Sequence, residues 1–179
     1  MLKILTVPQT VLTTPTKLVE KVDAKIKKLI IDMEETLLVQ KDPEGVGLAA
    51  PQVGISLALF IIKPTPNAAT EVFINPKIVS QKDATDKDKP AKKKKQTKME
   101  GCLSIPRIWA PLRREKEIVV TYLDETGQEV TKSFKGFKST IVQHEIDHLN
   151  GILFTMRCLE QGSDIYEENG DRLDKIKNI

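Results

Sequence analysis

The sequence predicts a single α+β domain in which short antiparallel strands pack around a central helix carrying a His-Glu-x-x-His pattern. Three observations lead there. Apolar residues recur at helical spacing in two separate stretches. Between them lie several short strand-like runs bounded by turn residues. The two kinds do not alternate as regular βαβ units, which favours α+β over a doubly wound parallel sheet. A chain of 179 residues suits one domain.

Residues 6–16 are rich in Thr and Pro and read as an extended entry segment. From Asp23 onward Ile26, Leu29, Ile30, Met33, Leu37 and Leu38 recur at helical spacing, with Asp23 as N-cap and Pro43 closing the region. A Gly-Ala-Pro loop covers residues 45–54. The apolar run 55–62, ended by Lys63-Pro64, reads as a buried strand. Residues 72–74 and 77–79 flank Asn75-Pro76 and read as two short extended pieces around a bend. Residues 118–123 and 129–134 are strand-like and joined by Asp124-Glu125-Thr126-Gly127, a hairpin signal. Residues 139–150 read as a helix with Ser139 as N-cap and Gly151 just past its end. The tail, from about 160 to 179, is mostly charged, with weak helical character from Ser163 onward.

With 40% hydrophobic and 30% charged residues, the composition is that of an ordinary folded protein. Two cysteines cannot build a disulfide framework. The N-terminal Met1-Leu2-Lys3-Ile4-Leu5-Thr6-Val7-Pro8 is not a signal peptide, and the longest apolar run, 57–62, is far too short to span a bilayer. The expected setting is the cytoplasm, with no membrane partner. The net charge of +3 is local in origin: residues 81–98 hold eight lysines and three aspartates, and the remainder is net negative. This segment has almost no hydrophobes and is read as a flexible insertion. Its Lys92-Lys93-Lys94-Lys95 run could contact a nucleic acid or a ribosome, but a solvated insertion is the favoured reading, and no specific nucleic-acid partner is expected.

The chemistry lies in the second helix. His144-Glu145-Ile146-Asp147-His148 sets two imidazoles four residues apart, one above the other on a helix face, so both can reach one ion. They are the only two histidines in the chain. Glu145 stands beside the first, where it can act on a water without ligating the metal. Asp147 points away from the His144/His148 face and suits a structural role. A catalytic metal usually has three protein ligands and an open position, so a third must come from elsewhere. Cys102, between Gly101 and an extended Ile105-Pro106 segment, can present its side chain together with neighbouring N–H groups. A buried free Cys is the plain alternative, and it is the reading for Cys158.

Three segments, in order, resemble the signature motifs of the peptide deformylase family. They are Gly45-Val46-Gly47-Leu48-Ala49-Ala50-Pro51-Gln52-Val53-Gly54, Glu100-Gly101-Cys102-Leu103-Ser104 and Gln143-His144-Glu145-Ile146-Asp147-His148. The resemblance implies removal of the N-formyl group from the initiator methionine of newly made polypeptides, with release of formate. It implies one divalent metal ion on Cys102, His144 and His148, Fe²⁺ in the cell, with Zn²⁺, Ni²⁺ or Co²⁺ in isolated protein. Softness arguments do not choose among these ions. It further implies Glu145 as general base and then general acid. The Gln52 side-chain amide and the Leu103 backbone N–H are the implied oxyanion donors. The Gly47 backbone would bond the formylated end, and Val46, Ile141 and the His144 ring would line the methionine pocket. The implied partners are N-formyl-methionyl nascent peptides and a transient ribosome contact, with the enzyme a monomer.

Two features depart from the family pattern. The basic segment 81–98 is longer than the usual loop before the Cys motif. Pro8-Gln9-Thr10-Val11-Leu12-Thr13 stands where family members often carry Asp-Pro and Leu-Arg pairs. An endopeptidase of the His-Glu-x-x-His type is the rival enzyme reading, and Cys102 with the Gln52 loop argues against it. A non-catalytic metal-binding module is the other rival, and an intact Glu145 argues against that.

Overall fold

The computed structural model describes residues 1–41, 44–82 and 99–176; most of the basic insertion and Pro43 lie outside them. Helix α1 spans Ala24–Leu38, and the Asp23 carboxylate accepts from the backbone N–H groups of Lys25 and Ile26 at 2.9 and 3.0 Å. That is the expected N-cap. Ile26, Leu29, Ile30, Met33 and Leu37 are buried on one stripe, while Leu38 faces solvent.

Strands β1 (Gly47–Ala49), β2 (Leu59–Ile62), β3 (Glu71–Lys82), β6 (Glu117–Leu123) and β7 (Glu129–Lys135) form one antiparallel sheet in the order β1-β2-β3-β6-β7. A second antiparallel sheet runs β4 (Met99–Cys102), β5 (Ile105–Pro111), β8 (Tyr166–Asn169), β9 (Arg172–Lys175). Helix α2 spans Phe137–Leu149 and α3 spans Phe154–Glu160. The mixture of antiparallel strands and helices is the α+β class expected.

Strand β2 shows why the layers stack as they do. All four of its residues are buried, and side chains alternate across a strand. Phe60 and Ile62 enter a core under α2 with Phe73, Val120 and Phe134, where Phe60 and Phe73 stack at 4.5 Å. Leu59 and Ile61 enter the opposite core, against Leu29, Met33 and Leu37 of α1. The central sheet therefore separates the two helices, and α2 rests on its β1, β2 and β7 portion. A third core holds Cys102, Leu112, Phe154 and Cys158 beneath the second sheet, so Cys158 is packing, as expected.

Several expectations need correction. The two extended pieces around Asn75-Pro76 are one strand, β3, with register shifts on each side of Lys77-Ile78. Asn75 adopts φ 51 and its side chain bonds both the N–H and the carbonyl of Val19, which replaces ladder bonds lost at the proline. The Gly-Ala-Pro loop contains β1 and a 3-10 turn, Ala50–Val53. The entry segment likewise holds a 3-10 turn, Thr10–Thr13, which buries Leu12. Helix α2 starts two residues before Ser139, which instead donates its hydroxyl to the Glu115 carbonyl at 2.7 Å. The C-terminal residues are not a weakly helical tail. They form the β8–β9 hairpin, closed by Gly170-Asp171 with Gly170 at φ 59. Buried Ile165 and half-buried Ile176 tie it to the third core.

Candidate metal centre and catalytic cavity

Two elements from different parts of the chain build the centre. Helix α2 supplies His144 and His148, whose rings lie 4.9 Å apart. The end of β4 supplies Cys102, whose Sγ is 3.1 Å from His148 Nε2. The three ligand atoms fall within 4.8 Å of one another. Burial would raise the Cys102 thiol, but the neighbouring His148 and His144 outweigh it and hold the thiol well below its ordinary value. A thiolate between two imidazoles, screened from water, is a donor set that fits a transition-metal cation. The residues present therefore fit the implied ion.

Glu145 is 3% exposed, and its Oε2 has no hydrogen-bond partner among the described residues. Burial raises its carboxyl to about 7, against the opposing charges of His144 and His148. A cation bound next to it would draw that value down again. An unpaired buried carboxylate is costly, so this oxygen is free for chemistry rather than spent on the fold. Gly47 explains how Glu145 fits. A Cβ built on Gly47 would lie 2.3 Å from Glu145 Oε1 and 2.8 Å from its Cδ. Gly47→Ala is expected to leave folding nearly intact, since the carboxylate end can swing aside. The displaced carboxylate should lower kcat by roughly 10²-fold. Thermal melting and turnover measured together check this, and an unimpaired kcat would refute the contact.

Gln52 is oriented by the strand that precedes it. Its Oε1 accepts from the Ala49 N–H at 2.8 Å, which turns Nε2 toward Cys102 Sγ at 3.5 Å and Ser104 Oγ at 3.2 Å. The amide hydrogens thus face the centre. Leu103 sits in the tight connection between β4 and β5, next to the ligand sulfur. A cavity of about 320 Å³ opens over these groups. Its walls include Val46, Gly47, Gln52, Cys102, Leu103, Ile141, His144 and Glu145. Every site residue read from the sequence except His148 lines this space, and His148 lies beneath it, 1% exposed.

Arg114, Arg157, Trp109, Phe137, Thr140 and Met99 carry no signal in the sequence, and Glu100 is legible there only as the first residue of the second motif. Glu100 Oε2 lies 3.3 Å from His144 Nδ1, on the ring side opposite Nε2. Arg114 clamps Glu100 with two bonds of 3.0 Å and also reaches Asp147. Arg157 of α3 bonds the other Asp147 oxygen at 2.9 Å. Asp147 has the structural role expected, now with named partners. Burial alone would raise the Glu100 carboxyl. Its bonds to His144 and Arg114 prevail and hold it below the ordinary carboxylate range. Such carboxylate partners fix the orientation of a ligating imidazole. Trp109, Phe137, Thr140 and Met99 also line the cavity.

The polypeptide deformylase family model matches residues 1–163. A peptide deformylase of Borreliella burgdorferi is 39% identical over 171 residues, covering 96% of this chain and 87% of its own length. One from Pseudothermotoga lettingae is 40% identical over 144 residues, covering 80% and 75%. Among solved structures, a peptide deformylase from Legionella pneumophila superposes with a TM-score of 0.74 at 35% identity, covering 88% of this chain and 85% of that one.

Proposed function

The chain belongs to the peptide deformylase family, and from that membership we infer how its residues remove the N-formyl group from newly made polypeptides. Cys102, His144 and His148 hold one divalent ion, which when bound acidifies water and polarises the formyl carbonyl. Glu145 takes a proton from the water whose oxygen adds to the formyl carbon. It then returns that proton to the amide nitrogen as the carbon–nitrogen bond breaks, leaving formate and a free amino terminus. The Gln52 amide and the Leu103 N–H donate to the oxygen that gains negative charge, already aimed before reaction begins. The Gly47 backbone holds the formylated end in the cavity, and Val46 and Ile141 receive the methionine side chain. The carrying observation is the trio of ligand atoms within 4.8 Å, beside a buried, unpaired carboxylate.

Fe²⁺ is the ion we assign in the cell, with Zn²⁺, Ni²⁺ or Co²⁺ able to occupy the same donors. Among the described residues no helix is long and apolar enough to cross a membrane. Since the substrate is a chain leaving the ribosome, we assign the work to the cytoplasm, performed by a monomer in transient ribosome contact. Anaerobic purification, metal analysis and a formate-release assay on formyl-Met-Ala-Ser test the reading. Activity that follows iron content and decays in air is expected. No formate release with a loaded site would overturn it.

A further inference from the structure

The family match ends at residue 163, so the β8–β9 hairpin lies wholly beyond it. Yet the hairpin is joined to the catalytic cavity. Trp109 of β5 is a wall of that cavity, and its Nε1 donates to Glu168 of β8 at 2.8 Å. The same indole packs over Gly101, where a Cβ would lie 2.8 Å from the ring, so the residue before the ligand Cys102 leaves room for it. On the hairpin side of Trp109 lies a second, more open cavity of about 410 Å³, walled by Trp109, Met99, Glu168, Asp171, Arg172 and Leu173. Met99 and Trp109 border both spaces. Met99 and Leu173 are 37% and 46% exposed, which gives the second space apolar walls open to solvent.

We propose that the C-terminal hairpin is an accessory substrate-binding element. It takes the residues of the formylated chain that emerge past Trp109, and it favours basic ones. The proposal rests on the deformylase reading and adds to it. Adjacency of the two cavities gives the path: Met99 and Trp109 wall both, so an extended peptide that leaves the first space over that shared edge enters the second. Charge gives the preference. Residues 164–175 contain five acids (Asp164, Glu167, Glu168, Asp171 and Asp174) against Arg172 and Lys175. Lys175 is engaged by Asp164 at 2.7 Å. Arg107 also faces the hairpin, donating to the Glu168 carbonyl and the Asn169 amide oxygen, and its charge counts against the acids. Counting Arg107, the hairpin region holds five acids against three cations, and of its charged side chains Glu168, Asp171 and Arg172 wall the second cavity, which is therefore net negative by one charge.

The test compares three substrates on the full-length enzyme at low salt: formyl-Met-Ala-Ser, and hexapeptides extending it by three lysines or three glutamates. Each hexapeptide kcat/KM is taken relative to the tripeptide value of the same protein. The lysine hexapeptide should exceed the glutamate one by about two- to fivefold, a preference that fades in high salt. Asp171→Lys, an exposed turn substitution, should narrow or reverse it. Equal values for the two hexapeptides, or a preference unaltered in the variant, would overturn the proposal. Absence of tripeptide cleavage would instead overturn the deformylase reading.

Discussion

Glu145→Ala is expected to retain its metal and to lose turnover of formyl-Met-Ala-Ser by about 10²- to 10⁴-fold, the range that positioned proton transfer supplies. The three ligand atoms belong to Cys102, His144 and His148, so the substitution leaves the donor set whole. It also removes a buried oxygen that has no partner among the described residues, so that oxygen takes no compensating bond with it. Glu145→Gln should be as inactive as the alanine variant, although it keeps the size of the side chain. An amide can neither take the proton from water nor hand one to the leaving amine. Metal content by elemental analysis and single-turnover formate release together separate the outcomes. Near-parental turnover in either variant would sink the proposed role of this carboxylate.

Arg114→Ala is expected to destabilise the protein by about 3–5 kcal/mol, the cost of stranding buried charges by deleting their partner. The guanidinium is 8% exposed and lies between two carboxylates that are 7% and 8% exposed. Asp147 keeps Arg157, but among the described residues Glu100 keeps the His144 ring alone. A urea midpoint shift with an unchanged slope would report the loss. Weaker metal affinity should accompany it, because Glu100 would no longer be fixed against His144. The pH dependence has a definite sign. Glu100 is held below the ordinary carboxylate value in the folded protein, so its pairing stabilises above that ordinary value and is lost as pH falls through the folded one. In Arg114→Ala this acid-side loss should shrink. A stability within 1 kcal/mol of the parent, on the order of a surface pair, would contradict the buried clamp.

The two histidines, their spacing, and the Glu145 between them are local information. A helix turns once in 3.6 residues whatever surrounds it, so the shared face of His144 and His148 follows from sequence once the helix is accepted. The Asp23 cap, the apolar stripe of α1 and the β6–β7 hairpin are legible for the same reason. Here Asp124 Oδ1 binds Thr126 and Gln128 within its own turn. The β8–β9 hairpin is less legible: its turn is Gly170-Asp171, and the density of charge on both strands hides their alternation. Local too are the glycines of the first motif, though their reason is not: Gly47 is small because Glu145, nearly a hundred positions later, occupies the space of its side chain.

What the sequence by itself determined is the α+β class, the pair of imidazoles on one helix, the carboxylate beside them and, through three ordered motifs, the family. Only the tertiary structure decided that Cys102 Sγ meets His148, that Gln52 turns its amide hydrogens toward that sulfur, and that Glu100, Arg114 and Asp147 form a buried chain behind the two histidines, continued by the partly exposed Arg157. These groups meet because a sheet buried on both faces holds α2 against β1 and against the end of β4. No spacing along the chain records such a contact, since its partners are chosen by packing. Their energies come from burial, which exists only once the layers have closed.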